Sequence, residues 1–358
     1  MNILWISGSW DGGERGLIAH TIAGLWQDLG HRLTYWPLSA PRDFVPGGMA
    51  EVLDPPAGRG LAARLQFLGQ LRRGARTFDA VLVEQDLATE FQVAEVLLGL
   101  RSRPLLCLLA HYPLGYYLAG RGEHNIARER KLAGRLLPRF DRVLALAPSV
   151  AADLSEHFGV PRERVRRMPW PAPPQASRRP DPGAAVAVVG HITPMKGVEG
   201  LLRILADLPG PHPAPRVHLF GGGNGIPSAR NTARDLGIPV DVHPLAPGVA
   251  EDLAARANLF YGPQWLDGTG FDYVTAAAAG LPLAGLAAPT APAEILLHGT
   301  MGRLAGLGEP AESGRHLAEL IADPRVHRGF QRAASLLYGR HAPGRVKDLW
   351  AAVWPPEA

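Results

Sequence analysis

The sequence has one cysteine, Cys107, in 358 residues. A single thiol excludes an internal disulfide framework and a cysteine-based zinc site. Lysine is almost as scarce. Of 37 basic residues, three are lysines (Lys131, Lys196 and Lys347) and 34 are arginines. No apolar run reaches the roughly 18 residues of a membrane-spanning helix. The opening residues MNILWISGSW hold no basic stretch followed by an apolar one, so no signal peptide is expected. Charged residues make up only 20% and apolar residues 46%, which excludes disorder as the general state. These absences lead to the expectation of a soluble, cytoplasmic protein. At roughly 100–200 residues per domain it has two domains or one large one.

The net charge of +4 is unevenly placed. Residues 1–169 hold 21 Lys and Arg against 17 Asp and Glu, and the remainder holds 16 of each. Arg121, Arg128, Arg130, Lys131, Arg135, Arg139 and Arg142 account for much of the excess. Such a run reads first as a solvated helix face. Its sharper reading is a peripheral contact with an anionic membrane, at the inner face, or with an anionic acceptor. Nucleic acid is not expected, because no nucleic-acid motif accompanies the charge.

Along the chain, short apolar runs alternate with helical periods. Asn2–Ser7 reads as a strand, 8–16 as a glycine-rich loop, and 17–29 as a helix ended by Gly30. Residues 32–36, 80–83, 105–109 and 143–146 read as further strands. Residues 169–183 hold six prolines in fifteen positions and read as a linker. The strand–helix rhythm then restarts at residue 185. The expected fold is α/β, with two Rossmann-like parallel-sheet domains facing each other across a cleft. Their expected bounds are 1–169, a linker at 170–183, and 184–344. A C-terminal helix within 345–358 is expected to pack back on the first domain.

Several residues at strand ends invite a chemical reading. His111 follows the apolar strand 105–109 at its C-terminal end, where α/β proteins place ligands. Glu84 and Asp86 follow strand 80–83 and read as a loop of solvated acids rather than an acceptor-facing pair. The first loop, SGSWDGGERG, is not a GxGxxG fingerprint, and Trp36-Pro37 stands where an acidic residue would follow strand two. A Rossmann dinucleotide site is therefore not expected. No segment offers clustered acids and histidines with metal-ligand spacing, so no metal is expected.

Four segments together resemble GT-B glycosyltransferases, and within them glycosyltransferase family 4. They are the loop at Gly12-Gly13 with its helix and Gly30-His31, Val189–Gly197 with Gly190, His191 and Lys196-Gly197, Leu219–Asn224 with Gly222 and Gly223, and Asp267-Gly268-Thr269-Gly270-Phe271 followed by Ala276–Gly280 and Leu281-Pro282. The resemblance covers nearly the whole chain, in the family's motif order. It implies a retaining transfer of sugar from a nucleotide diphosphate sugar to an acceptor hydroxyl, with no cofactor. It further implies Lys196 and His191 on the diphosphate, Asp267 on donor-sugar hydroxyls, Gly268–Phe271 on the sugar or phosphate, and His111 beside the reacting centre. Gly12 and Gly13 fall near the donor phosphate. Lys196 precedes a predicted helix, where a cation can join helix-end amides in holding a phosphate.

The chain departs from the family at three of these positions. The two glutamates of the fourth motif are Asp267 and Thr275 here, and the arginine of the second motif is His191. A threonine hydroxyl can meet a ribose hydroxyl but brings no charge, and whether Asp272 replaces the missing glutamate from a shifted position stays open at the level of sequence. Two other functions are open on the same residues: a non-catalytic sugar- or nucleotide-binding subunit, and a sugar-nucleotide epimerase on the same fold.

Overall fold

Runs of Val, Leu, Ile and Ala that are too short for helices become strands buried on both faces, as a parallel sheet covered by helices requires. The computed structural model describes residues 1–8, 14–38, 49–54, 61–85, 89–119, 126–265, 269–288 and 290–354. The chain forms two compact units. The first comprises most of residues 1–169 together with Lys347–Ala358, and the second contains Trp170–Val346.

The first unit runs β1 (Asn2–Ser7), α1 (Glu14–Asp28), β2 (Arg32–Pro37), β3 (Glu51–Val52), α2 (Leu61–Gly74), β4 (Ala80–Glu84), α3 (Thr89–Leu98), β5 (Leu105–Ala110), α4 (Leu114–Ala119), α5 (Ile126–Leu136), β6 (Arg142–Ala145), α6 (Pro148–Phe158) and β7 (Val165–Arg167). Among the described residues its sheet has seven strands in the order β3-β2-β1-β4-β5-β6-β7. Every pairing is parallel. The order reverses between β1 and β4, where Ile6 lies opposite Val83. Cys107 is wholly inside β5, and burial pushes its thiol up to about 12. On α5, Ala133 and Leu136 face inward while Arg128, Arg130, Lys131 and Arg135 are exposed. That part of the basic run is a solvated face.

The C-terminal residues of the first unit are held by indoles. Trp26 of α1 is fully buried and donates from Nε1 to the Trp350 carbonyl at 3.2 Å. Its ring lies 5.5 Å from that of Trp350 and 5.1 Å from that of Trp354. Trp350 in turn donates to the Pro169 carbonyl at 3.0 Å. Buried aromatic groups of this size combine a large apolar area with an oriented polar atom.

The second unit runs β8 (Ala185–Val189), α7 (Val198–Ala206), β9 (Arg216–Phe220), α8 (Ile226–Leu236), β10 (Val240–His243), α9 (Val249–Arg256), β11 (Leu259–Gly262), α10 (Phe271–Ala278), β12 (Leu283–Leu286), α11 (Ala291–Ile295), β13 (Arg303–Ala305), α12 (Pro310–Ala322) and α13 (Pro324–His341). The last helix, α14 (Pro343–Ala351), begins here and runs into residues of the first unit. The second sheet has six strands among the described residues, in the order β10-β9-β8-β11-β12-β13, with the reversal between β8 and β11.

The proline-rich stretch is not a loose tether. Trp170, Pro171, Ala172 and Pro173 are buried. The Ala172 amide donates to the His341 carbonyl at 2.7 Å, and His341 Nδ1 donates to the Trp170 carbonyl at 2.8 Å. Farther on, Gln331 reaches the Pro180 carbonyl and Asn258 the Asp181 carbonyl. Proline leaves few amides to satisfy, so a segment with no secondary structure can lie flat on a helical surface.

Burial lowers the imidazole pKa of His218, His243, His327 and His341 below the usual value of 6.5. His218 Nδ1 and His243 Nε2 are 3.0 Å apart, and the His243 ring further disfavours a charge on His218. The unfolded chain thus takes up protons near pH 6.5 that the folded chain refuses. Stability should be full above about pH 6.5 and fall as the pH drops through and below that value. Thermal melts at pH 7.5, 6.5 and 5.5 in one ionic strength check this. Equal midpoints at all three would show that these four rings titrate normally in the fold.

Candidate active site

In each unit the polar side chains gather where the strand order reverses, at the carboxyl ends of the strands. At such a point the helices of neighbouring strands leave on opposite faces and a crevice is left open. The first unit places Ser7 at the end of β1, Glu84 at the end of β4 and His111 one residue past β5. Glu84 is completely buried, and the Ser7 hydroxyl donates to its Oε2. His111 Nε2 lies 3.4 Å from Glu84 Oε1. The Gln85 side-chain carbonyl accepts from the His111 amide at 2.8 Å and from the Tyr112 amide at 3.1 Å. Glu84 is therefore not one of a loop of solvated acids, as its place after a strand suggested. Pairing of β1 with β4 closes over it.

The second unit places the loop after β8 against the loop after β9. Gly190 donates to the Phe220 carbonyl at 3.0 Å, Ile192 to the Gly222 carbonyl at 2.8 Å, and Gly225 to the Ile192 carbonyl at 2.9 Å. Gly223 caps this arrangement by accepting from Ile226 at the start of α8. The close approach needs glycine at 221. Its φ is +144°, and a Cβ there would strike the Gly190 carbonyl oxygen. His191 projects from this loop and is exposed.

Lys196 ends the same loop, just ahead of α7. Gly197 follows it at φ +80°, and a Cβ at Gly197 would fall 2.6 Å from the Pro263 carbonyl oxygen. This contact ties the lysine loop to the end of β11, across the reversal. The Lys196 side chain is only 9% exposed, and its Nζ lies 3.1 Å from Asp272 Oδ2. Gln264 Nε2 donates to the same oxygen at 2.6 Å, while Asp272 Oδ1 accepts from the Tyr273 amide at 2.9 Å. Asp272 sits in the first turn of α10, so the lysine ammonium is held at a helix N-terminus, where the peptide dipoles favour an anion. Asp272 is thus occupied by Lys196, a pairing with no trace in local sequence because 76 residues separate the two.

Thr269, Gly270 and Phe271 form the turn into α10. The Phe271 amide donates to Thr269 Oγ1 at 3.2 Å, and the Phe271 ring packs edge-on against Trp170 at 5.2 Å. Thr275 is fully buried, and its hydroxyl has no hydrogen-bond partner among the described residues. Gly12, Gly13, Asp86, Asp267 and Gly268 lie outside the described residues. The structure brings Lys196, Asp272 and Gln264 together in the second unit, and Ser7, Glu84, Gln85 and His111 in the first. Gln264, Gln85 and Ser7 carry no motif that would have singled them out. Among the described residues, no group of three or more His, Cys, Asp or Glu side chains is placed to share a metal ion. None of the described helices is long and apolar enough to cross a membrane.

Two doubly wound parallel sheets, each with its polar cluster at the reversal, define the GT-B class of glycosyltransferase fold. Residues 16–174 match the model of Glycosyltransferase Family 4, and residues 173–336 match that of Glycosyl transferases group 1. The chain belongs to the family 4 type of GT-B glycosyltransferases, with these two regions in that order. It is similar to a D-inositol 3-phosphate glycosyltransferase of Corynebacterium kroppenstedtii, 36% identical over 148 residues that cover 38% of this chain and 33% of that one. It is also similar to an exopolysaccharide phosphotransferase of Streptomyces coelicolor, 27% identical over 78% of this chain and 29% of that one. The chain thus spans about a third of the length of the curated relatives it matches. Among solved structures, the Anabaena protein HepE in complex with UDP-glucose superposes with a TM-score of 0.81, at 18% identity, over 99% of both chains.

The loop packing yields a stability expectation. Gly221→Ala must leave a left-handed conformation or push back the Gly190 carbonyl, and should lose more than about 1 kcal/mol. Gly222→Ala, with nothing within 4 Å of its Cβ position, should be close to neutral. Urea unfolding of the two variants side by side measures the contrast, and equal midpoints would contradict the described loop.

Proposed function

We propose that this chain is a retaining glycosyltransferase that moves a sugar from a nucleotide diphosphate sugar to an acceptor hydroxyl, without a bound metal. The observation that carries this reading is the nearly buried Lys196 ammonium at the first turn of α10. A cation and a helix N-terminus at one point form an anion site in a place of low dielectric, where each is worth more than in water. The UDP-glucose in HepE and the glycosyltransferase activity in the name of the Corynebacterium relative support a nucleotide sugar as donor.

In this reaction the bond from the anomeric carbon to the diphosphate oxygen breaks, and a bond to the acceptor oxygen forms on the same face. The acceptor's proton goes to the leaving phosphate, so no protein nucleophile is required. Lys196, with His191, neutralises the charge that grows on the diphosphate. Asp267, Gly268 and the turn formed by Thr269 and Gly270 hold donor-sugar hydroxyls or phosphate, and Phe271 fixes that turn by packing on Trp170. Thr275 stands where the family's ribose-binding glutamate would be, Gly12 and Gly13 border the donor phosphate, and His111 serves the reacting centre. The exposed arginines of α5 offer a surface to an anionic membrane.

The buried, unpartnered Thr275 hydroxyl and the pairing of Lys196 with Asp272 favour one second reading, a subunit that binds a nucleotide sugar without turning it over. Lys196→Ala separates the two. If Lys196 stabilises the leaving group, the variant should melt earlier, because Asp272 loses its buried partner, and its folded fraction, confirmed by circular dichroism at the assay temperature, should lose about 10²–10³ in kcat with a smaller change in donor KM. A thermal-shift panel of uridine, guanosine and adenosine diphosphate sugars selects the donor for this assay. Near wild-type turnover in folded Lys196→Ala, or turnover abolished by a chelator and restored by magnesium or manganese, would overturn the proposal.

A further inference from the structure

Glu84 lies deep at the reversal point of the first sheet, and nothing in the reaction as described uses it. A fully buried carboxylate is costly unless its oxygens are satisfied. Here the Ser7 hydroxyl donates to one oxygen, and the imidazole of His111 faces the other at 3.4 Å. The Tyr35 hydroxyl lies beside Ser7 and is kept protonated by its own burial and by the nearby Glu84 charge. The chain of groups runs from Tyr35 through Ser7 and Glu84 to His111. It crosses β2, β1 and β4 to the end of β5.

His111 completes the chain and is 5% exposed. Its backbone is fixed by Gln85, and among the described residues neither ring nitrogen has a hydrogen-bond partner: Nδ1 is buried, and Nε2 is turned to Glu84 Oε1 at 3.4 Å without forming a hydrogen bond. A carboxylate can only accept, so the ring nitrogen turned to Glu84 is the one that carries hydrogen. In a neutral imidazole the other nitrogen is then an acceptor. Active-site hydrogen bonds are often long before substrate arrives and tighten on loading.

We propose that Glu84 is a positioning residue that acts through His111: it holds the hydrogen on Nε2 and so presents Nδ1 as an acceptor for a hydroxyl of the sugar or the acceptor. This rests on the reading that His111 serves the reacting centre. Ser7 is the outer holder of the carboxylate. The role belongs to Glu84 in particular, because an uncharged side chain of equal size can present an N–H to the ring instead.

The test is two-bond ¹⁵N–¹H correlation NMR of histidine side chains in the full chain, with the His111 signals assigned from a His111→Gln variant. Wild type should show hydrogen on Nε2 of His111. Glu84→Gln preserves shape, and its amide can donate to Nε2, so the signal should move toward the Nδ1–H form. With UDP-glucose as the donor probe, Glu84→Gln should lower kcat about 10–100-fold, the loss expected for one charged hydrogen bond, and leave donor KM little changed. Ser7→Ala removes one holder of the carboxylate without touching its charge. It should retain the Nε2–H form and lose less of kcat than Glu84→Gln. An Nδ1–H form in the wild type, or a signal and kcat unchanged in Glu84→Gln, would overturn the assignment. A wild-type protein that consumes no nucleotide sugar but shows the expected tautomer would defeat the catalytic reading and support the Glu84–His111 pairing.

Discussion

The structure depends on one constraint, the reversal of strand order in a parallel sheet. Helices cover both faces of such a sheet, and at the reversal two neighbouring strands send their chains to opposite sides. Side chains that stand at the carboxyl ends there are flanked by backbone but not capped by a crossing helix. In the first unit the gap lies between β1 and β4 and holds Ser7 and Glu84, with His111 one strand over. In the second it lies between β8 and β11, and the Lys196 loop leans on the Pro263 carbonyl across it. Polar groups elsewhere in these sheets would have to be satisfied inside a packed core. At these two points they can remain available.

The second constraint is charge. Lys196 is nearly buried, and a buried ammonium without a partner would be costly, on the order of 3–5 kcal/mol when one member of such a pair is removed. Asp272 supplies the partner, and Gln264 shares the load on the same oxygen. The result is a cation held in place by the protein's own carboxylate, with its side-chain entropy already spent. The arrangement also gives a physical reading of the Thr275 departure. With Asp272 in the first turn of α10, a second carboxylate one turn further along would crowd like charges on the same short helix.

Much of the fold was legible in the chain because buried parallel strands are written as unbroken apolar runs, as in Leu105–Leu109 and Ala185–Val189. The Lys196 motif was legible because lysine is rare here and a glycine and a helix follow at once. Glu84 was not. A glutamate after a strand reads as solvated, and only the adjacency of β1 and β4, whose partners Ser7 and Glu84 are 77 residues apart, buries it. The Asp272 pairing was hidden for the same reason. The proline run was read as a linker from composition, but composition does not carry the carbonyls of 170, 180 and 181 finding side chains on α13 and beside β11. Asp267, Gly268, Gly12 and Gly13 lie outside the described residues, so their part in the site rests on sequence.

Cys107 has a consequence for those who would handle this protein. Its thiol is sealed within β5 and kept protonated, so it has neither access nor nucleophilicity. The native molecule therefore offers alkylating reagents and dye maleimides no reactive sulfur. A cysteine introduced at any solvent-facing position would be chemically alone, and a spin label or fluorophore could be attached there without first stripping the natural sequence of its own thiol.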